Sequence, residues 1–408
     1  MSARRRSRKG RRVAIVLFLA AVCAGWAVFA WNEGLGDASP DAKHPLAPPP
    51  SSSSAGEGYT EITLAAAGDI MFHDTELKSG YDKTTKRYDF RSFFADVKPI
   101  LSAADVAIAN FETTTGGLDA MPYMGYPRFN SPDETIDAVR DAGFDVLTTA
   151  NNHALDTGSQ GIVRTLEQIH KRGIDTVGTY AKRPDTRVLM KDVQGIKLAF
   201  LSYTESTNGL ENALTPEELD TMINVVDERK IKEDIAYAKA QKADLIIAVM
   251  HWGNEYEREP AAKQQNLAKQ LVGEGVDLIL GSHPHVIQKS ERLSAGGREG
   301  FVIYSMGNFI SNQRLETLDN AYTEDGIILS FRIRKNKATN ETSIRNVDYV
   351  PTWVYRDKEQ GRSTYTYKIL PIMDFIEDGE LSAAFKQRMQ RSYQDTMAQM
   401  DGSSRDEQ

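Results

Sequence analysis

Five of the seven histidines in this chain fall inside four short polar motifs: GDIMFHD at 68–74, ANNHALD at 150–156, MHWGNE at 250–255 and GSHPH at 281–285. A further segment, ANFETTT, adds Asn110 and Glu112. Histidine, carboxylate and carboxamide groups collected just after apolar runs supply neutral imidazole nitrogens and hard oxygens, the donor mixture that binds Mn²⁺, Zn²⁺ or iron. Each motif has a plain alternative taken singly. Gly68-Asp69 is common turn chemistry, Glu112 could be a solvated acid, the two asparagines before His153 could form a turn, and His251 could be a core histidine bonded to backbone. GSHPH is the most specific piece, because histidines at i and i+2 around a proline point to related faces of an extended loop. Joint occurrence makes a metal site the leading expectation, with His44 and His170 left as surface residues.

The elements that must position these motifs are readable as alternation. The strand-like runs ITLAAAG, DVAIAN, DVLTTA, KLAFLSY, DLIIAVM, DLILGS, FVIYSM and IILSFRI are separated by helix-like segments, an α/β pattern. Four strands share one format: a helix ends, an aspartate follows (Asp105, Asp145, Asp244 or Asp277), an apolar run crosses the core, and polar residues close it. Gly143 and Gly275 precede two of these starts, as helix-terminating glycines do. Ligands of α/β sheets bind beyond the carboxyl ends of strands, so the motifs are expected to meet in one crevice.

The chain ends differ in character from this middle. Residues 1–12 carry seven basic groups and no acid, and residues 13–31 run without a charge. About 19 helical residues cover about 28 Å, the thickness of a bilayer core, and basic residues before the span place the N-terminus in the cytoplasm. The expectation is one membrane anchor over 13–31; the alternative is a cleavable signal peptide. Residues 32–60, rich in proline and serine, are expected to form a disordered spacer. Residues 61–375 then form the globular domain, and 376–408 a polar helix, roughly 381–400, with a charged tail. The only cysteine, Cys23, lies in the apolar segment, so no disulfide staples the remainder. Beyond residue 12 the chain holds 42 basic against 57 acidic groups, which argues against a nucleic-acid partner.

The ordered set of Asp69-x₃-His73, Asn110-x-Glu112, Asn151-Asn152-His153, His251-Trp252-Gly253, GSHPH and YSMGNF (304–309) resembles the CapA family of poly-γ-glutamate capsule biosynthesis proteins, whose domain is similar to the calcineurin-like metallophosphoesterases. The resemblance covers about residues 61–330. It implies a metallophosphoesterase-like β-sandwich flanked by helices, preceded here by one N-terminal transmembrane helix, with one or two divalent ions (Mn, Zn or Fe) at one edge. Carried over by position, Asp69, His73 and His285 would hold one ion, Glu112 would bridge, and Asn152, His251 and His283 would hold the second. His153 would protonate a leaving oxygen. Apart from that carry-over, Asn308, and Asn110 beside Glu112, are candidates to support the ligands, and Arg128 in GYPRFNSP is a candidate substrate anion clamp, with a plain surface charge as the alternative. Phosphoesterases of this class use Asp-x-His and a bridging aspartate, so Asp69-x₃-His73 and Glu112 are departures.

Two functions follow from the resemblance. One is a membrane-anchored extracellular hydrolase-type protein acting on an anionic polymer or phosphoester during polyglutamate capsule synthesis or export. The other is a non-catalytic accessory subunit assembled with membrane polyglutamate synthase subunits.

Overall fold

The computed structural model describes residues 58–358, 361 and 363–400. The expected anchor at 13–31, Cys23 and His44 lie outside the described residues, as does all of the expected spacer before Gly58. No helix among the described residues is long and apolar enough to cross a membrane.

Two sheets stack face to face. The first runs in the order Thr366–Pro371, Thr342–Asp357, Asp325–Asn336, Tyr59–Ile70, Val106–Phe111, Val146–Thr148, Asp175–Val177, with Asn308–Ile310 pairing in parallel beside the end of Tyr59–Ile70. The second runs Ser290–Ala295, Arg298–Ile303, Leu278–Ser282, Leu245–His251, Ile196–Thr204, Leu189–Val193. Strict alternation along the strands divides the core. Leu64, Ala66, Val106, Ile108 and Val146 of the first sheet pack against Leu198, Phe200, Ile247, Val249 and Leu280 of the second. The intervening Ala65, Ala67, Ala107 and Ala109 face outward, under Ile136, Val139 and Ile169 from the helices Glu134–Ala142 and Gly158–Lys171. On the opposite side Ala199, Ala248 and Ile279 lie under Ile231 and Ile235 of Glu228–Ala240 and Leu267 and Leu271 of Ala262–Glu274. The two sheets thus close one core between them, and helices cover both outer faces. The result is a mixed α/β sandwich flanked by helices.

The four strand-opening aspartates share one task. Asp105 Oδ2 accepts from the Thr63 main-chain N–H (2.8 Å), Asp145 Oδ2 from Ala107 (3.0 Å), Asp244 Oδ2 from Lys197 (2.8 Å) and Asp277 Oδ2 from Ile246 (2.8 Å). Each ties the start of its strand to the neighbouring parallel strand and so fixes where both begin. Gly143 and Gly275 end their helices at φ 112° and 121°, where a side chain would be strained.

The first strand begins at Tyr59, two residues before the expected domain start. The polar C-terminal helix forms over Ala383–Gln399 and is docked on the sandwich. Its Met389 packs with Trp353, Leu370 and Ile372.

Candidate metal centre

Every strand that ends in a polar motif delivers it to the same end of the sandwich. Asp69 lies near the end of Tyr59–Ile70, where Gly68 permits close approach: a Cβ there would sit 1.9 Å from the Gly307 carbonyl oxygen. Asn110 belongs to Val106–Phe111, and Glu112 follows it. His251 and Ser282 close the adjacent parallel strands Leu245–His251 and Leu278–Ser282 and sit in register with one another. His283 and His285 then adopt φ 95° and 57°. Non-glycine residues held there cost about 1–3 kcal/mol each, a strain typical of functional loops.

The side chains form three overlapping groups whose ligand atoms all lie within 4.8 Å: Asp69, Glu112 and His285; Glu112, His251 and His283; and Glu255, His283 and His285. His285 Nδ1 is 3.4 Å from Asp69 Oδ2, and Glu112 Oε1 is 3.7 Å from both His251 Nε2 and His285 Nε2. Asn152 Oδ1 is 3.0 Å from His251 Nε2. Asn110 is the hub beneath them. Its amide donates to Asp69 Oδ1 (2.8 Å) and lies 3.3 Å from both Glu112 Oε2 and His251 Nδ1, while its carbonyl accepts from Asn151 (3.2 Å). Asn308 Oδ1 sits 3.1 Å from His285 Nδ1, and the Asn308 amide donates to the His285 carbonyl.

Asp69, Glu112, His251 and His285 are buried. Burial, reinforced by the charges of Asp69 and Glu255, pushes the Glu112 carboxyl well above the usual carboxylate range. Burial also holds His251 well below the ordinary histidine value, with His283 and His285 adding to the effect, and lowers His283 to about 4. No lysine or arginine among the described residues pairs with Asp69 or Glu112. Two atoms on residues of one group, Glu112 Oε1 and His283 Nδ1, are buried without a hydrogen-bond partner. Buried polar atoms are normally satisfied, and a divalent cation satisfies such a donor set of imidazoles and carboxylates.

Beside the cluster opens a cleft of about 600 Å³, whose lining includes His73, Arg128, His153, Asp156, Glu255 and Tyr256. His153 Nδ1 is 2.8 Å from Asp156 Oδ2, which also accepts from the Phe129 main chain at 2.5 Å. Arg128 donates through Nε to the Asp156 carbonyl at 2.8 Å and again through a terminal nitrogen.

The geometry thus brings together Asp69, Glu112, Asn152, His251, His283 and His285, with Asn110 and Asn308 bonded to them. His73 shares none of the three groups; it stands in the cleft wall with His153 and Arg128. The expected surface position of His170 holds, with its Nε2 2.8 Å from Thr176 Oγ1. Sequence reasoning assigned no role to Glu255, Ser282, Asp156 or Phe129. Asp156 had a usable signal, three residues after His153 in the same motif; Phe129 had none, because its importance is purely spatial.

A two-layer sheet core with a buried, cation-deficient cluster of imidazoles and carboxylates at one strand end defines a mixed α/β protein with a candidate metal-binding cluster. Residues 63–313 match the family of the bacterial capsule synthesis protein PGA_cap, and the chain belongs to that family. Among similar proteins, the capsule biosynthesis protein CapA of Bacillus anthracis is 30% identical over 68% of this chain and 65% of its own length. The PGA biosynthesis protein CapA of Bacillus subtilis is 27% identical over 79% of this chain and 83% of its own. A probable polyglutamine synthesis accessory protein of Mycobacterium tuberculosis is 24% identical over 45% and 50%. Similar solved structures include the Haemophilus influenzae NAD nucleotidase (TM-score 0.46, 11% identity, 84% of this chain and 64% of that one) and the Bacillus subtilis calcineurin-like phosphoesterase YfkN (TM-score 0.40, 14%, 83% and 98%).

Proposed function

We propose that this chain is a membrane-anchored, extracytoplasmic component of poly-γ-glutamate capsule synthesis or export, with a metallophosphoesterase-like site that holds one or two divalent ions. The observation that carries the site is the pair of buried atoms without a hydrogen-bond partner, Glu112 Oε1 and His283 Nδ1, on residues of one converging group. Asp69, Glu112 and His285 would hold one ion; Glu112, His251 and His283, with Asn152, would hold the other. Such ions, when bound, supply Lewis acidity toward a phosphoryl or acyl centre. Membership of the capsule family and the names of the two Bacillus relatives support the process. The basic head and uncharged run at 13–31 support the anchor, with its C-terminal domain outside the cytoplasm.

The protein's own groups have separate tasks. Were His251 Nε2 to hold an ion, its Nδ1–H would donate to Ser282 Oγ, 2.9 Å away, and the Nε2 lone pair would face the ion beside Glu112 and Asn152. A ligating histidine is commonly oriented in this manner. The Asp156 carboxylate fixes His153 in the same way, leaving Nε2 of His153 to carry a proton for a leaving group in the cleft. The Mycobacterium tuberculosis relative, named as a probable accessory protein, favours the second reading, a non-catalytic subunit of a membrane synthase complex.

Polymer yield from capsule-forming cells separates the two. His153→Ala at matched protein level is expected to cut yield steeply, because a positioned general acid contributes roughly 10²–10⁴-fold, while leaving metal content intact. Wild-type yield from His153→Ala would remove the catalytic reading in favour of the accessory one. Wild-type yield from His283→Ala as well would remove the metal from the function.

A further inference from the structure

Two histidine–acid pairs of the same spacing both contact one phenylalanine. His73 and Glu76 are three residues apart, as are His153 and Asp156, with Nδ1-to-carboxylate distances of 3.3 and 2.8 Å. Both imidazoles meet the Phe129 ring edge-on, at centroid distances of 5.1 and 4.7 Å. Both line the same cleft, and Arg128, the neighbour of Phe129, lines it between them in sequence.

His73 is built into this wall. Its Nδ1 accepts the Asn312 main-chain N–H at 3.2 Å, and its own main-chain N–H donates to Glu76 Oε2 at 2.7 Å. A Cβ at Gly125 would lie 2.6 Å from the His73 Cα, so the opposing loop packs directly on it. With Nδ1 accepting, the neutral ring carries its proton on Nε2 and presents a donor. Arg128 contributes a second. Two of its guanidinium nitrogens donate to the Asp156 carbonyl, and it forms no ion pair with a carboxylate among the described residues. A guanidinium held by a neutral carbonyl keeps its full charge for a ligand.

We propose that His73 serves the substrate and not the metal: with Arg128 and His153 it forms an oxyanion-binding wall around Phe129 that receives a carboxylate or phosphate group of the molecule bound in the cleft. This rests on the functional reading above only for the neighbouring ions; the wall itself is made of groups outside the three ligand clusters. It also gives the four-residue spacing of Asp69 and His73 a physical meaning. The longer interval places His73 at the start of the helix Asp74–Gly80, in the cleft wall and in none of the three ligand groups.

The test uses the full chain, metal-replete, in wild-type form and as His73→Ala, His73→Gln, Arg128→Gln and His283→Ala. Metal content is read by elemental analysis, and affinity for inorganic phosphate and for γ-glutamylglutamate by calorimetry. His73→Ala is expected to keep wild-type metal content and to weaken the better-bound probe about tenfold, as loss of one hydrogen bond to a charged group does. His73→Gln, which restores a side-chain donor, should recover part of that loss, and Arg128→Gln should match His73→Ala. Preference for phosphate or for the γ-glutamyl probe identifies which oxyanion the wall is shaped for. Loss of metal from His73→Ala to the level of His283→Ala would overturn the proposal, and so would unchanged affinity for both probes. Absence of metal from the wild type would defeat the metal reading alone. The probe affinities of the metal-free proteins would then decide this one by the same tenfold criterion.

Discussion

Asn110 carries more of the site than either carboxylate it orients. One amide group reaches Asp69, Glu112 and His251 and is itself held by Asn151. Removing it leaves buried acceptors without a donor, which costs about 1–3 kcal/mol, and frees the ligands to rotate. Asn110→Ala is therefore expected to lower metal affinity about 10–100-fold, the usual effect of losing a supporting residue, as measured by competition with a chelator. Unchanged affinity would show that the ligands hold their own orientation. At this scale the sequence was informative where motifs carry several polar types together. Asn110 was legible because it stands two residues from Glu112 in one motif; Asn308, 23 residues from His285, was legible only through the motif YSMGNF that carries the resemblance. His73 stands outside the three groups, at the start of Asp74–Gly80 and in the cleft wall, and spacing along the chain does not say which way a helix start turns.

The elements that hold the site were legible in the parallel strands and poorly so beyond them. Each of the eight apolar runs overlaps a strand, since a strand buried on both faces is continuously apolar. The strands Leu189–Val193, Ser290–Ala295, Thr342–Asp357 and Thr366–Pro371 alternate with polar residues or lie at edges, and the sequence reading passed over them. The C-terminal helix Ala383–Gln399 read as merely polar for a related reason: its arginines complete buried acids. Arg388 pairs with Glu316 and with the fully buried Glu324, and Arg391 pairs with buried Asp325. Arg388→Ala would leave Glu324 with only Arg314 at 3.8 Å as a cation, and a broken buried pair costs about 3–5 kcal/mol. Chemical denaturation should show that loss; a change under about 0.5 kcal/mol, typical of a surface substitution, would mean the helix is not clamped here. The same network sets an acid limit. Partial burial pushes the Glu316 carboxyl up, but hydrogen bonds from Arg388 and Arg314 outweigh it and bring it down from 4.5 to about 2. A depressed carboxyl stabilises the fold above its unfolded value and loses that contribution as pH falls from about 4.5 toward about 2. The denaturation midpoint should fall through that window in the wild type and fall less in Glu316→Gln.

Across the whole molecule the candidate centre joins the two sheets. Asp69, Asn110 and Glu112 come from the first sheet, and His251, Ser282, His283 and His285 from the second or the loop beyond it. An ion shared by these groups would fasten the sandwich at one end. Free metal at 100 times its dissociation constant would stabilise the fold by about 2.7 kcal/mol, so chelation should lower the melting temperature and metal should restore it. Convergence of the motifs was foreseeable from the rule that ligands gather beyond strand ends. That the motifs come from two stacked sheets was not, because nothing in an apolar run says which sheet it joins. The most direct test is elemental analysis of the metal-replete full chain beside Asp69→Ala and His283→Ala. One to two equivalents of Mn, Zn or Fe in the wild type, lost in both variants, is the result this structure predicts; less than about 0.2 equivalents in the wild type, against the firm occupancy such donor sets normally give, would contradict it.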